Sequence, residues 1–166
     1  GAIRAAQLGM SSVCIEADKL GGICLNWGCI PTKTLLAGAE FYDRLKHEAA
    51  AWGIHAENVR HDWQKVLGRS RDVAGRLNKG VHFLFKKNNV AHIQGRATIT
   101  GPGRVEVRDA GDSGAVIREI ACKHILICTG AVPRQLPGTP FDGRTVISYK
   151  EAVSLQQQPK KLLILG

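Results

Sequence analysis

Long apolar segments are absent from this sequence of 166 residues. Its longest unbroken apolar runs, such as residues 162–165, fall far short of the roughly 20 residues that a membrane-spanning helix needs. No secretory signal is recognisable near residue 1, because Arg4 and Gln7 interrupt the only apolar stretch there. Aromatic residues make up only 5% of the chain. With 44% hydrophobic and 22% charged residues, the composition is that of a globular protein with one core, which excludes disordered, collagen-like and membrane-embedded classes.

Acidic residues are in the minority, with 14 Asp and Glu against 23 Lys and Arg and a formal charge of +9. Such a surplus indicates an acidic partner, including nucleic acid, or it results when a piece is taken from a longer and more neutral chain. We favour the second interpretation, because no aromatic residues are interleaved with the basic stripe at residues 65–79. A basic nucleic-acid-binding module stays the distant alternative.

The two ends of the sequence have unusual patterns. Gly1 opens directly on helix-like sequence, and the only methionine is Met10. Residues 161–166 are an apolar strand pattern that stops at a glycine. We therefore expect an internal fragment of a longer protein.

The five cysteines are an odd number, which argues against a secreted disulfide framework and favours a cytosolic redox or metal role. Zinc sites favour a C-x₂-C spacing, and neither Cys24 with Cys29 nor Cys122 with Cys128 has it, so we expect no metal. Cys14, Cys122 and Cys128 lie within or beside strand patterns and are expected to be inert core residues.

Apolar periodicity gives a coarse order of elements. A short helix followed by a strand that ends in the acid Glu16 is typical of the second half of a βαβ unit. The other predicted elements are a loop leading into a helix that continues towards residue 45, a long helix over residues 63–85, an antiparallel meander over residues 90–120, a buried parallel strand at residues 124–128, a connector at residues 145–159 and a strand opening at residues 161–166.

The chemistry centres on Cys24 and Cys29, which are five positions apart. In a regular helix they would be separated by about 7.5 Å of rise and by about 140° around the axis, too far for a disulfide. Gly21, Gly22 and Gly28 permit a distorted helix entrance that could close it. A helix N-terminus also favours a thiolate, so the pair is suited to two-electron thiol–disulfide exchange.

Residues 20–33 read Leu-Gly-Gly-Ile-Cys-Leu-Asn-Trp-Gly-Cys-Ile-Pro-Thr-Lys. This segment resembles the redox-disulfide signature of the flavin-dependent pyridine nucleotide–disulfide oxidoreductases. Residues 2–9, 69–80 and 125–133 also resemble segments of that family. The resemblance implies a three-layer α/β, Rossmann-like FAD-binding domain with a small antiparallel β insertion. That domain would span residues 1–145 without its first strand and glycine turn, followed by a connector and the first strand of an NAD-binding domain at residues 146–166.

The resemblance also implies roles for individual residues. Cys24 would exchange with the substrate disulfide, Cys29 would lie against the flavin as the charge-transfer thiolate, and Lys33 would tune the flavin. Glu16 would hold the adenosine ribose. The implied cofactor-binding residues are Glu16, Ala17, Asp18, Lys19, Gly21, Gly22, Ile23, Cys24, Lys33, Ala97, Thr129, Gly130 and Ala131.

The wording of the signature is closest to the members that reoxidise dihydrolipoamide, with electrons passing through FAD to NAD⁺. The implied partners are the lipoyl domain of the acyltransferase of 2-oxo acid dehydrogenase complexes and a second copy in a homodimer. We expect a cytoplasmic location, no nucleic acid and no membrane. The alternative is a glutathione or mercuric reductase type of the same superfamily. We expect residues 1–166 alone to be inactive, because the family's FAD glycine turn, nicotinamide site and His–Glu base are not among them.

Overall fold

The computed structural model describes residues 1–111 and 114–165. Its helices and strands, in chain order, are α1 (Ala2–Gln7), β1 (Val13–Glu16), α2 (Gly22–Asn26), α3 (Cys29–His47), a 3₁₀ turn (Ala49–Trp52), α4 (Trp63–Lys87), β2 (Ala91–Gln94), β3 (Arg96–Gly101), β4 (Arg104–Arg108), β5 (Val116–Ala121) and α5 (Tyr149–Ala152). The chain forms two compact units. The first consists of Gly1–Gly22 and Leu77–Ala131, and the second of Ile23–Arg76 and Val132–Gly166.

In the first unit, helix α1 leads into a two-stranded parallel sheet. Strands β1 and β2 pair in register from Val13 opposite Ala91 to Glu16 opposite Gln94. The antiparallel meander predicted over residues 90–120 is therefore wrong for its first strand. Alternating apolar residues predict a strand but do not specify its partner, and β2 pairs with the strand that follows α1.

Gly95 separates the parallel sheet from the meander. A Cβ on Gly95 would lie 2.6 Å from the carbonyl oxygen of Arg108 and 2.7 Å from Cγ1 of Val107. Only glycine allows this close approach of β4 to the junction between β2 and β3.

The rest of the meander is confirmed. Strands β3, β4 and β5 form a three-stranded antiparallel sheet with β4 in the middle. Val105 and Val107 alternate with polar residues on β4 and are both buried, which anchors the central strand.

The apolar run at residues 124–128 is not a strand in the structure. Ile125, Leu126 and Ile127 are 39%, 74% and 67% exposed. An apolar run becomes a buried strand only where a neighbour pairs with its N–H and C=O groups, and no strand among the described residues does so. Residues 161–165 likewise contain no strand, and Gly166 lies outside the described residues.

The second unit contains α2, α3, the first half of α4 and α5. Helix α4 confirms the long helix predicted from residue 63, and Leu67, Ser70 and Ala74 form its buried stripe. The predicted connector at residues 145–159 contains the short helix α5, which begins with a capping box between Ser148 and Glu151. Within this unit the Trp63 indole donates to the Leu155 carbonyl at 2.8 Å.

Candidate active site

A disulfide joins Cys24 and Cys29, with Cα atoms 4.7 Å apart. This short distance arises because helix α2 ends at Asn26 and helix α3 begins at Cys29. The interruption removes the rise that a continuous helix would place between the two residues. The distorted helix entrance predicted from the sequence is confirmed, and both cysteines are exposed.

Gly28 makes this turn possible. A Cβ on Gly28 would lie 3.1 Å from the Ile23 carbonyl oxygen and 3.2 Å from the Cα of Cys24, tighter than nine in ten real Cβ contacts. The absence of a side chain at Gly28 therefore allows the start of α3 to approach the start of α2. Pro31, in the first turn of α3, is fully buried and needs no N–H partner there.

Cys29 is the first residue of the 19-residue helix α3. The first N–H groups of a helix have no intrahelical acceptors, and the helix dipole places partial positive charge at this end. A thiolate formed at Cys29 is stabilised by both effects. Lys33, four residues further along α3, is exposed.

The turn between the cysteines contacts two cationic side chains of the same unit. Arg71 on α4 donates from Nη1 to the carbonyl oxygen of Asn26 at 2.9 Å. The guanidinium carbon of Arg71 lies 5.3 Å from the centroid of the Trp27 ring, and Nζ of Lys150 lies 4.8 Å from it. The sequence analysis did not assign Arg71, Trp27 or Lys150 a role in the site. The one available signal was Trp27 itself, a large aromatic residue between the two thiols.

In the first unit, the loop that follows β1 is fixed by several hydrogen bonds. The backbone N–H of Asp18 donates to Oε1 of Glu16 at 2.8 Å. The amide of Gln94, at the end of β2, donates to the carbonyls of Ala17 and Asp18 at 2.9 and 3.0 Å. The amide of Asn78 on α4 donates to the carbonyl of Leu20. Sequence reasoning did not identify Gln94 or Asn78, because their contacts with this loop are long-range.

The remaining candidate cofactor residues divide between the units. Ala97 lies on β3 opposite Val107, and Thr129, Gly130 and Ala131 are exposed and outside any strand. Lys19, Gly21 and Gly22 belong to the first unit, whereas Ile23, Cys24 and Lys33 belong to the second. Gly21 and Gly22 have φ values of +100° and +63°, a left-handed turn that leads into α2. Their roles in cofactor binding stay predictions.

The other cysteines differ from one another in environment. Cys14 on β1 is half-buried, and burial, followed by the nearby Glu16 and Cys128, raises the pKa of its thiol. Cys122 is half-buried, but Cys128 is exposed. The expectation that Cys128 is a core residue is wrong, because the strand that would have buried it is not formed.

Two features are absent from residues 1–111 and 114–165. No group of three or more His, Cys, Asp or Glu side chains there is arranged to hold a metal ion. None of the helices in these ranges is both long and apolar enough to span a bilayer.

Comparison with known proteins defines the class. The family model described as pyridine nucleotide-disulphide oxidoreductase matches residues 1–166, and the chain belongs to this family. The predicted resemblance is thus confirmed. The solved structure of LpdA from Mycobacterium tuberculosis covers 94% of this chain and 34% of its own length, with a TM-score of 0.79 at 23% identity. That likeness confirms the predicted α/β, Rossmann-like fold class.

Most of the similar curated proteins are named dihydrolipoyl dehydrogenase, and one, from Vigna unguiculata, is named leghemoglobin reductase. A dihydrolipoyl dehydrogenase of Rhizobium etli is 42% identical over 179 residues, covering 99% of this chain and 37% of the relative. A mitochondrial dihydrolipoyl dehydrogenase of Pisum sativum is 37% identical over 166 residues, covering 99% of this chain and 32% of the relative. The chain thus spans about a third of the length of the curated relatives that it matches.

Proposed function

We propose that this chain carries the redox disulfide of a dihydrolipoyl dehydrogenase, which oxidises protein-bound dihydrolipoamide with FAD as cofactor and NAD⁺ as final acceptor. The observation that carries the proposal is the closed Cys24–Cys29 disulfide at the N-terminus of α3, in a chain of this family. The similar proteins named dihydrolipoyl dehydrogenase support the choice of substrate.

The position of the two sulfurs supports a direction for the exchange. A thiolate of dihydrolipoamide attacks Sγ of Cys24, the S–S bond breaks, and Cys29 leaves as a thiolate that the N-terminus of α3 stabilises. The second substrate thiol gives its proton to the departing Cys24 sulfur and attacks the lipoyl sulfur of the mixed disulfide. Cyclic lipoamide forms and Cys24 leaves, so that two electrons have passed to the cysteine pair.

The residues of the first unit fit the adenosine end of FAD. Ligands of open α/β sheets bind at the carboxyl ends of parallel strands, where β1 ends at Glu16 beside Gln94. The Glu16 carboxylate is chemically suited to accept hydrogen bonds from ribose hydroxyls, and its loop is fixed by Gln94. When bound, FAD supplies a two-electron acceptor for the dithiol and a donor for NAD⁺. Glu16, Ala17, Asp18, Lys19, Gly21, Gly22, Ala97, Thr129, Gly130 and Ala131 would hold it, and Ile23, Cys24 and Lys33 keep the roles that the family resemblance implies.

The partners and the location belong to the same proposal. The whole protein would act on the lipoyl domain of the acyltransferase of a 2-oxo acid dehydrogenase complex, as a homodimer in the cytoplasm. The alternative is a glutathione or mercuric reductase type of the same family. The name dihydrolipoyl dehydrogenase, carried by most of the similar relatives, favours the dihydrolipoamide substrate over this alternative.

A substrate panel on the whole protein separates these functions. We expect NAD⁺ reduction with dihydrolipoamide, no comparable NADPH oxidation with glutathione disulfide or Hg²⁺, and loss of turnover in Cys24→Ser and Cys29→Ser. The variant Cys122→Ser is the matched control and should retain turnover. Greater activity on glutathione disulfide or Hg²⁺ than on dihydrolipoamide would contradict the proposal.

A further inference from the structure

We propose that Arg71 is a positioning residue that keeps the turn between Cys24 and Cys29 in its disulfide-forming geometry when the two thiols are reduced. The inference rests on the proposed redox role of the pair. It adds a residue of α4 that lies 42 positions beyond Cys29 in sequence and contacts the turn between the two cysteines.

The Arg71 contact lies where α2 ends, just before α3 begins. Asn26 is the last residue of α2, and its carbonyl accepts from Arg71 Nη1 at 2.9 Å. Asn26 itself is 5% exposed, and the hydrogen bond is partly buried. Charge-assisted hydrogen bonds are among the stronger polar contacts in proteins.

The remaining nitrogens of the Arg71 side chain have no hydrogen-bond acceptor within the described chain that would explain its position. Its Nε and Nη2 atoms are also buried and find no acceptor among the described residues. Burial lowers the pKa of the guanidinium. Burying donors without acceptors costs free energy, so Nε and Nη2 do not explain the position of the side chain. The contacts of Arg71 with Asn26 and Trp27 do explain it.

Trp27 provides the second contact with the turn. Its ring lies 5.3 Å from the Arg71 guanidinium and 4.8 Å from the Lys150 ammonium. Lys150 is on α5, which is fixed at its start by the capping box of Ser148 and Glu151. The turn therefore contacts both α4 and α5 through side chains outside the segment that carries the cysteines.

The expected consequence is thermodynamic. When the disulfide is reduced, an untethered turn gains conformational freedom, which favours the dithiol. A turn held by Arg71 keeps the thiols close, which favours the disulfide. Removal of Arg71 should shift the equilibrium towards the dithiol by about tenfold, equivalent to about 30 mV for a two-electron couple.

The experiment equilibrates the whole flavin-loaded protein in redox buffers of dithiothreitol. Each disulfide reduced takes two electrons and two protons from one dithiothreitol, which closes into its own cyclic disulfide. After acid quench, alkylation and trypsin, residues 20–33 form one peptide that contains Cys24 and Cys29 and no other cysteine. Its oxidised fraction gives the equilibrium constant without any measurement of activity.

Three variants and one control are compared. Arg71→Met should give the full shift, and Arg71→Lys, which keeps the charge and one donor, should give about a third of it on a logarithmic scale. Trp27→Leu removes the ring without changing the charge and should also favour the dithiol, by about threefold. Arg69→Met changes an exposed arginine two positions away on the same helix and should leave the equilibrium unchanged.

The outcomes are distinct. An unchanged equilibrium in Arg71→Met overturns the inference, and so does an equal shift in Arg69→Met. A shift towards a more stable disulfide would mean that Arg71 acts by charge on the thiolates, which also overturns it. If Arg71→Met does not fold, unchanged equilibria in Arg71→Lys and Trp27→Leu overturn it instead. A disulfide that cannot be reversibly reduced in the unsubstituted protein contradicts the proposed function, whereas the other failures concern Arg71 alone.

Discussion

A Cβ atom on Gly28 would lie 3.2 Å from the Cα of Cys24, tighter than nine in ten real Cβ contacts. The redox turn is thus built on a glycine that is needed for space and not for a positive φ, since its φ is −128°. The start of α3 approaches the start of α2 at this backbone contact, and the cysteines are brought together as a consequence.

The substitution Gly28→Ala tests this contact. The added methyl must displace the backbone of Ile23 or Cys24, and overpacking of this kind costs about 1–3 kcal/mol of unfolding free energy. Chemical denaturation of the oxidised protein measures it. Gly38→Ala is the matched control on the exposed face of α3, where nothing lies within 4 Å, and it should be neutral or stabilise by about 0.5–1 kcal/mol. Equal effects of the two substitutions would contradict the close approach.

Gln94→Ala tests the loop that follows β1. The Gln94 amide donates to both the Ala17 and Asp18 carbonyls, so its removal should loosen the loop proposed to hold the adenosine end of FAD. Two hydrogen bonds of about 0.5–1.5 kcal/mol each total about 1–3 kcal/mol, which predicts an increase of about fivefold to 150-fold in the apparent Kd for FAD. Recovery of flavin fluorescence on dilution measures this Kd. Gln7→Ala, at the exposed end of α1, should leave it unchanged, and an unchanged Kd in Gln94→Ala would count against a role for the loop.

His92 makes the stability of the first unit depend on pH. Burial, followed by the nearby His82, lowers the pKa of His92, although Glu16 acts in the opposite direction. In the unfolded chain the pKa of this histidine is about 6.5, higher than in the folded state. As the pH falls through this range, the unfolded chain therefore binds more protons than the folded one, and acid destabilises the folded state. Between about pH 7.5 and pH 5, unfolding free energy should fall less in His92→Gln than in the unsubstituted protein.

The control for His92 is His55→Gln, an exposed histidine of the other unit. Its pH profile should match that of the unsubstituted protein. If His92→Gln retains the full loss of stability in acid, protonation of His92 is not its cause.

Features set by neighbouring residues could be predicted from the sequence, whereas features set by long-range contacts could not. The C-x₄-C spacing with Gly28 and Pro31 was sufficient to predict a distorted helix entrance, because a regular helix cannot close that disulfide, but the short helix α2 before it was predicted as a loop. By contrast, the partner of β2 could not be predicted, since period-two alternation is the same in parallel and antiparallel pairs that expose one face.

The candidate site shows the same limit. The cysteines are adjacent in sequence and were predicted, whereas Arg71 contacts Asn26 from 45 positions away. No local pattern distinguishes Arg71 from the exposed arginines of α4, and only the folded second unit places its guanidinium at the turn. The strand predicted at residues 124–128 failed for a related reason, because its formation depends on a neighbour that local apolarity does not supply.

The most direct test of the central claim is to count thiols in the peptide of residues 20–33 before and after anaerobic addition of dihydrolipoamide to the whole protein. We expect no alkylated cysteine before addition and two afterwards, Cys24 and Cys29, with the labelling of Cys14, Cys122 and Cys128 unchanged. Turnover of dihydrolipoamide by a protein in which Cys24 and Cys29 are both serine, or in which this peptide stays oxidised, would contradict the account.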